Sequence, residues 1–104
     1  MRYTKNNWNK YFDGSGKKTT IRLTQHKIGN HKCWAGSYYK PELLGTHDVV
    51  KIAPSKFGEL TEVDAKNDGF KNIEELKEEL KRLNPNINPK NDVYIHWTDN
   101  VKRA

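Results

Sequence analysis

Two consecutive helix signatures between Leu60 and Pro85 constrain this chain more than any other feature. Thr61 and Asp64 have the spacing of a capping box, in which each side chain satisfies a backbone N–H that the first helical turn leaves unbonded, and Leu60 with Ala65 fits a hydrophobic staple around it. A short helix is therefore expected over about 61–69, ending where Gly69 supplies a left-handed residue. Asn72 with Glu75 then caps a second helix over about 72–84. Ile73, Leu76, Leu80 and Leu83 recur at intervals of three and four, a stripe suited to packing on a sheet. Glu78 and Arg82 are expected to pair on the solvent face, and Pro85 closes the helix.

Around this block the sequence is rich in β-branched and aromatic residues. KTTIR at 18–22, HKCWAGSYY at 31–39, LLGTHDVVKI at 43–52 and VYIHWTDNV at 93–101 are the strand candidates. DGSG at 13–16 and NPNINPKND at 84–92 are loops. Trp8, Tyr11 and Phe12 fall at i, i+3, i+4, so a turn or two of helix places three rings on one core-facing side before Gly14 and Gly16 stop it. Strands, two helices and a returning strand make an α+β domain. A length of 104 residues fits one core, so residues 1–104 are read as a single domain. Three Trp, five Tyr and three Phe supply enough apolar bulk to fold despite 31% charged residues. No stretch approaches the roughly 18 apolar residues of a membrane span, and MRYTKNNWNKYF lacks the apolar centre of a signal peptide, so a cytoplasmic protein without membrane contact is expected. Cys33 is the only cysteine, which excludes a disulfide within the chain. A monomer without cofactor is the expectation.

Net charge is +6 and unevenly divided: residues 1–57 carry +8 and residues 58–104 carry −2. A basic half is the electrostatic footprint of a phosphate-bearing partner, although basic proteins that bind no nucleic acid are also common.

GKKTTIR, the KIG turn at 27–29, the LLG segment at 43–45 and the run LTEVDAKNDGFKNIEELKEELKRLNP together resemble the ASCH family of small PUA-like proteins. The resemblance covers about 16–101. Two departures are Asn30, where many relatives carry Asp, and the aromatic insert WAGSYYKP at 34–41. The resemblance implies a PUA-like twisted β-barrel with the two helices packed at one side, a cleft beside the TIR strand, and RNA or a modified nucleoside as partner. Some small members of the family are amidohydrolases that deacetylate N4-acetylcytidine with a Lys, a Thr and a Glu. Matched position by position, the Lys falls on Lys17, the Thr on Thr20 and the Glu on Asp68.

The chemistry suits those residue types. A hydroxyl such as that of Thr20 needs a neighbouring base, and Lys17 becomes one only where a cleft or a nearby cation such as Lys18 or Arg22 lowers its pKa. Asp68 would shuttle a proton to the leaving amine, with one methylene less reach than Glu. Two readings of Asp68 stand side by side: a functional acid placed against the negative end of a helix dipole, or a turn-former leaving that helix beside Asn67 and Gly69. Likewise Lys17 and Lys18 also fit a solvated strand edge, and Arg22 fits either a phosphate fork or an ion pair.

A second constellation, Lys27, Lys32, Trp34, Tyr38, Tyr39 and Lys40, combines rings for base stacking with cations for phosphates. Alternation could equally turn Trp34 and Tyr38 inward. His26, His31, Cys33 and His47 follow no compact metal-ligand spacing, and no metal is expected. Three functions follow: an RNA- or nucleoside-binding module using a basic cleft, an amidohydrolase acting on an acylated nucleoside, or a protein-interaction module.

Overall fold

The computed structural model describes residues 1–104. Helix α1 (Lys5–Asn9) opens the chain, followed by strands β1 (Thr19–Arg22), β2 (Gly29–Gly36) and β3 (Pro41–Lys56). A 3₁₀ turn at Phe57–Glu59 leads into α2 (Glu62–Asn67), α3 (Ile73–Leu83) and β4 (Asp92–Arg103). No helix is long and apolar enough to cross a membrane.

Local chemistry sets the helices. The capping box at α2 is complete, with Thr61 N–H donating to Asp64 Oδ2 at 2.9 Å and Asp64 N–H to Thr61 Oγ1 at 3.2 Å. Asn72 Oδ1 caps α3 by accepting from Glu75 N–H at 2.9 Å. Leu76 and Leu80 are buried as the stripe requires, whereas Leu83 is 55% exposed. Arg82 pairs with Glu79 in place of Glu78, one residue nearer along the helix. Thr4 caps α1 by accepting from Asn7 N–H at 3.1 Å, and that helix stops at Asn9. Trp8 is buried while Phe12 is 38% exposed, so the three rings do not share burial equally.

The four strands form one antiparallel sheet in the order β1-β4-β3-β2. β3 runs well beyond the segment expected from the sequence, through Pro54. That residue pairs with Tyr94 on the β4 side, in a stretch that β2, ending its pairing at Val49, does not reach. A missing N–H is tolerated on such an unpaired flank. Register shifts at Cys33/Trp34, Thr46/Asp48 and Val49/Lys51 bend the sheet.

The sheet is open, and hydrogen bonding between β1 and β2 does not close the barrel expected from the sequence. β1 offers only four residues. Residues 1–3 occupy the seam: Arg2 bridges Trp34 in parallel, Tyr3 N–H donates to the Trp34 carbonyl at 2.8 Å, and Trp34 N–H donates to the Met1 carbonyl at 2.9 Å. From the other flank Arg22 donates to the Arg2 carbonyl at 2.6 Å. The seam is thus spanned partly by a side chain, and a cavity lies along it.

Two apolar clusters hold the molecule. The larger, including Ile21, Phe57, Leu76, Leu80, Val93 and Ile95, sits between the sheet and the helices α2 and α3. The smaller joins Tyr3, Trp8 and Cys33 under α1. Gly45 marks how tightly α1 is seated, since a Cβ there would stand 1.9 Å from the Lys102 carbonyl oxygen and 2.9 Å from the Trp8 ring. Gly45→Ala is expected to cost about 1–3 kcal/mol in a thermal or urea melt, because the obstacle is backbone and cannot swing aside. An unchanged melting midpoint would contradict this packing.

Candidate functional site

The site begins with the exit of α2. Asp68 is its C-cap, and its N–H stays within the helix by donating to the Asp64 and Ala65 carbonyls. Gly69 follows at φ +83°, and a Cβ there would press to 3.1 Å against Lys10 and Lys17. Its bareness lets the segment before β1 come in close, where Lys18 N–H donates to the Asn67 carbonyl at 2.8 Å. The side chain of Lys17 is thereby delivered to Asp68.

Both side chains are almost wholly out of solvent, 2% exposed for Lys17 and 5% for Asp68. The Lys17 ammonium donates to Asp68 Oδ1, and lies 3.3 Å from the Asp68 carbonyl. Asp68 Oδ2 accepts from Ile21 N–H at 3.1 Å, so one carboxylate holds the lysine and pins the outer edge of β1. Burial pushes the Lys17 pKa down, against the pull of Asp68, and Arg22 and Lys10 push it further. Burial likewise pushes the Asp68 pKa up, opposed by Lys17, the Ile21 N–H and Arg22.

Thr20 is buried on the same strand, and its Oγ1 accepts from Arg22 Nε at 3.0 Å. Its carbonyl faces Nδ1 of the fully buried His96 at 3.2 Å, while His96 Nε2 accepts from His26 N–H at 3.0 Å. His96 therefore carries its proton on Nδ1 and is neutral, its pKa lowered by burial. It fixes the backbone on which Thr20 sits.

Lys17, Thr20, Asp68 and Arg22 all line one open cleft of about 610 Å³, bordered also by residues 2–5 of the N-terminal segment, Ala35 and Gly36 of β2, and the α3 pair Glu79 and Arg82. Its volume lies in the usual range for small-molecule sites, roughly 300–1,000 Å³. The lining carries five cations, Arg2, Lys5, Lys17, Arg22 and Arg82, against the two carboxylates Asp68 and Glu79.

Tyr3 forms the floor. The Arg22 guanidinium lies over its ring at 4.5 Å, and its hydroxyl is a link in a chain of hydrogen bonds from half-buried Thr98 to buried His47: Thr98 Oγ1 to Tyr11 at 3.0 Å, Tyr11 to Tyr3 at 3.1 Å, and Tyr3 to His47 Nε2 at 2.7 Å. Sequence reasoning missed Tyr3, although a signal was present: it precedes the Thr4 cap, and its ring meets Trp8 at 5.5 Å in a hydrophobic staple. Arg2, Glu79, Arg82 and His96 were missed as well, and no local pattern pointed to them.

The remaining sequence candidates lie outside this cavity. Lys18, Lys27, Lys32 and Lys40 are exposed, and Trp34 is half-buried, alternating with the inward Cys33 and Ala35. Tyr38 and Tyr39 are 84% and 92% exposed at the tip of the β2–β3 hairpin. No three His, Cys, Asp or Glu side chains converge as a metal-ligand set. Among the histidines, His31 Nε2 faces the Lys27 carbonyl at 2.6 Å and His47 Nε2 is engaged by Tyr3.

No known family profile matches the sequence, and no curated protein matches it. Among solved structures, protein EF3133 from Enterococcus faecalis V583, of family DUF984, superposes with a TM-score of 0.65 over 96% of this chain and 68% of its own. At 13% identity the likeness establishes the fold. The chain is a small α+β domain sharing the fold of that DUF984 protein.

Proposed function

We propose that this is an ASCH-type, PUA-like domain whose cleft binds a nucleoside acylated on an exocyclic nitrogen and hydrolyses the amide. The observation that carries the reading is the meeting of Lys17, Asp68 and Thr20, which come from segments about fifty residues apart in sequence, in one cavity of ligand size. A lysine whose pKa burial has lowered is the group a threonine hydroxyl needs as base.

In this mechanism the Lys17 ammonium passes a proton to Asp68, and the neutral amine then takes the Thr20 hydroxyl proton as Oγ1 bonds to the acyl carbon. The tetrahedral adduct collapses, the C–N bond breaks, and the leaving nitrogen takes a proton from the Lys17–Asp68 pair. Water then attacks the acyl-Thr20 ester and releases the carboxylic acid, restoring the hydroxyl. Arg22, already on Thr20 Oγ1 at 3.0 Å, is placed to stabilise negative charge on the adduct's oxygen. In the resting site Lys17 donates to Asp68 and not to Thr20, so substrate entry must redirect it.

A second reading, RNA or nucleoside binding without turnover, is favoured by the commitment of Asp68 Oδ2 to the Ile21 amide, which gives the carboxylate a structural duty. Incubation of the purified protein with N4-acetylcytidine, followed by chromatography for cytidine and acetate, separates the two. The parent is expected to turn over, and Lys17→Ala to be slower by at least about a hundredfold. Absence of turnover at high protein concentration would remove the hydrolase and leave binding.

A further inference from the structure

The hairpin tip between β2 and β3 has no part in the chemistry above, yet it is built to hold two aromatic rings in water. Lys40 N–H donates both to the Ser37 carbonyl at 3.2 Å and to Ser37 Oγ at 3.1 Å, closing a tight turn with Tyr38 and Tyr39 at its centre. Gly36 enters that turn at φ +86°, where a Cβ would stand 2.7 Å from the Lys40 carbonyl oxygen. The rings are set edge to face with centroids 6.1 Å apart. Large aromatic groups this exposed gain nothing for the fold by being so.

The tip is continuous with the cavity through Arg2. This residue lines the cavity, donates to the Gly36 carbonyl at 3.0 Å and places its guanidinium 5.8 Å from the Tyr38 ring centroid. Charge around the tip is basic. Lys40 and Arg2 flank the rings, and the one nearby carboxylate, Glu42, is taken by Lys5 at 3.0 Å. Lys5, Lys17 and Arg82 are each paired with a carboxylate, which leaves Arg2, Arg22 and Lys40 as cations without an acidic partner; a free nucleoside carries no phosphate to meet them.

We propose that Tyr38 and Tyr39 are a stacking platform for the bases flanking a nucleotide held in the cavity, so that the ligand is single-stranded RNA carrying the acylated nucleoside. This rests on the nucleoside reading of the cleft. Stacking supplies sequence-tolerant affinity while Arg2 and Lys40 meet phosphates, a division of labour known for single-strand binders. The turn's hydrogen bonds fix the backbone that carries the rings before the strand arrives, which lowers the ordering cost of binding.

The test is fluorescence anisotropy with a labelled short single-stranded RNA containing one N4-acetylcytidine, run beside calorimetric titration of the free N4-acetylcytidine nucleoside. Tyr38→Ala/Tyr39→Ala is expected to weaken RNA binding by at least about tenfold and to leave nucleoside binding unchanged. Tyr38→Phe/Tyr39→Phe should restore it. Parent affinity for RNA should fall with salt more steeply than one released ion allows. The platform is overturned if the double alanine variant binds the oligomer as the parent does or if the oligomer binds no tighter than the nucleoside, and a DNA of the same sequence binding equally well would overturn the assignment of the strand as RNA. RNA binding that depends on both tyrosines, with no nucleoside binding by any form, would sink the cleft assignment and keep the platform. Both positions are solvent-exposed, so circular dichroism of the variants should match the parent.

Discussion

Replacing Asp68 with alanine is expected to lower the unfolding free energy by about 3–5 kcal/mol, because it strands a buried lysine. In the native protein the Lys17 ammonium has its carboxylate partner almost entirely out of solvent. Asp68→Ala leaves that group without a counter-charge, and also deprives the Ile21 N–H of its acceptor. Losing an acceptor for a buried amide costs about 1–3 kcal/mol by itself. Lys17→Met/Asp68→Asn should lie much closer to the parent, since the asparagine oxygen can still accept from Ile21 while the charge requiring a partner is gone. Urea unfolding of parent, single and double variants measures this. A loss below about 1 kcal/mol for Asp68→Ala would mean that Lys17 reaches water, contrary to its burial. The same set bears on function, because a carboxylate kept only for structure predicts that the double variant still binds nucleoside.

Acidification is expected to destabilise the protein well before its exposed carboxylates titrate. His47 is fully buried, and burial lowers its pKa to about 4 from 6.5. Its Nε2 is held by Tyr3, and its Nδ1 has no partner to receive a second proton's charge. The unfolded chain therefore binds the proton first as pH falls. Stability tied to the neutral ring is whole above pH 6.5 and is lost progressively from there down to about pH 4. The slope is about 1.4 kcal/mol per pH unit for each such histidine, or about 3 kcal/mol from His47 over its window. His96 adds in the same direction, because its Nε2 already accepts from the His26 amide and cannot take a proton without breaking that bond. Asp68 acts with the opposite sign, its raised pKa making the folded state the better proton binder. Urea unfolding between about pH 7 and pH 5 should show the fall, and His47→Asn should flatten it by about one histidine's share. Equal slopes for parent and variant would place the titration elsewhere.

What could be read from the sequence follows the range of the forces involved. The capping box at Thr61, the Asn72 cap and the Leu76 and Leu80 stripe are settled within a few residues, and all three stand as expected. Lys17, Thr20 and Asp68 were legible only through the family resemblance; their convergence depends on the Lys18 to Asn67 backbone bond, which no local pattern announces. Alternation in VYIHWTDNV shows which residues share a face and cannot name the neighbouring strand. The central position of β4, between β1 and β3, was therefore not legible. Nor was the openness of the sheet, decided by residues 1–3 pairing with Trp34 across more than thirty positions. The Glu79–Arg82 pairing shows the limit of helical spacing, which permits both i+3 and i+4 partners.

The bonds that build the cleft also determine how other chains can approach it. Along β1 and the residue before it the outward amides are already engaged, Lys18 by the Asn67 carbonyl and Ile21 by Asp68, while beside the cleft β2 is bonded to residues 1–3 through Trp34. Neither margin presents a free ladder to an incoming strand, so self-templating into fibrils and capture of extended peptides by strand addition are both obstructed there.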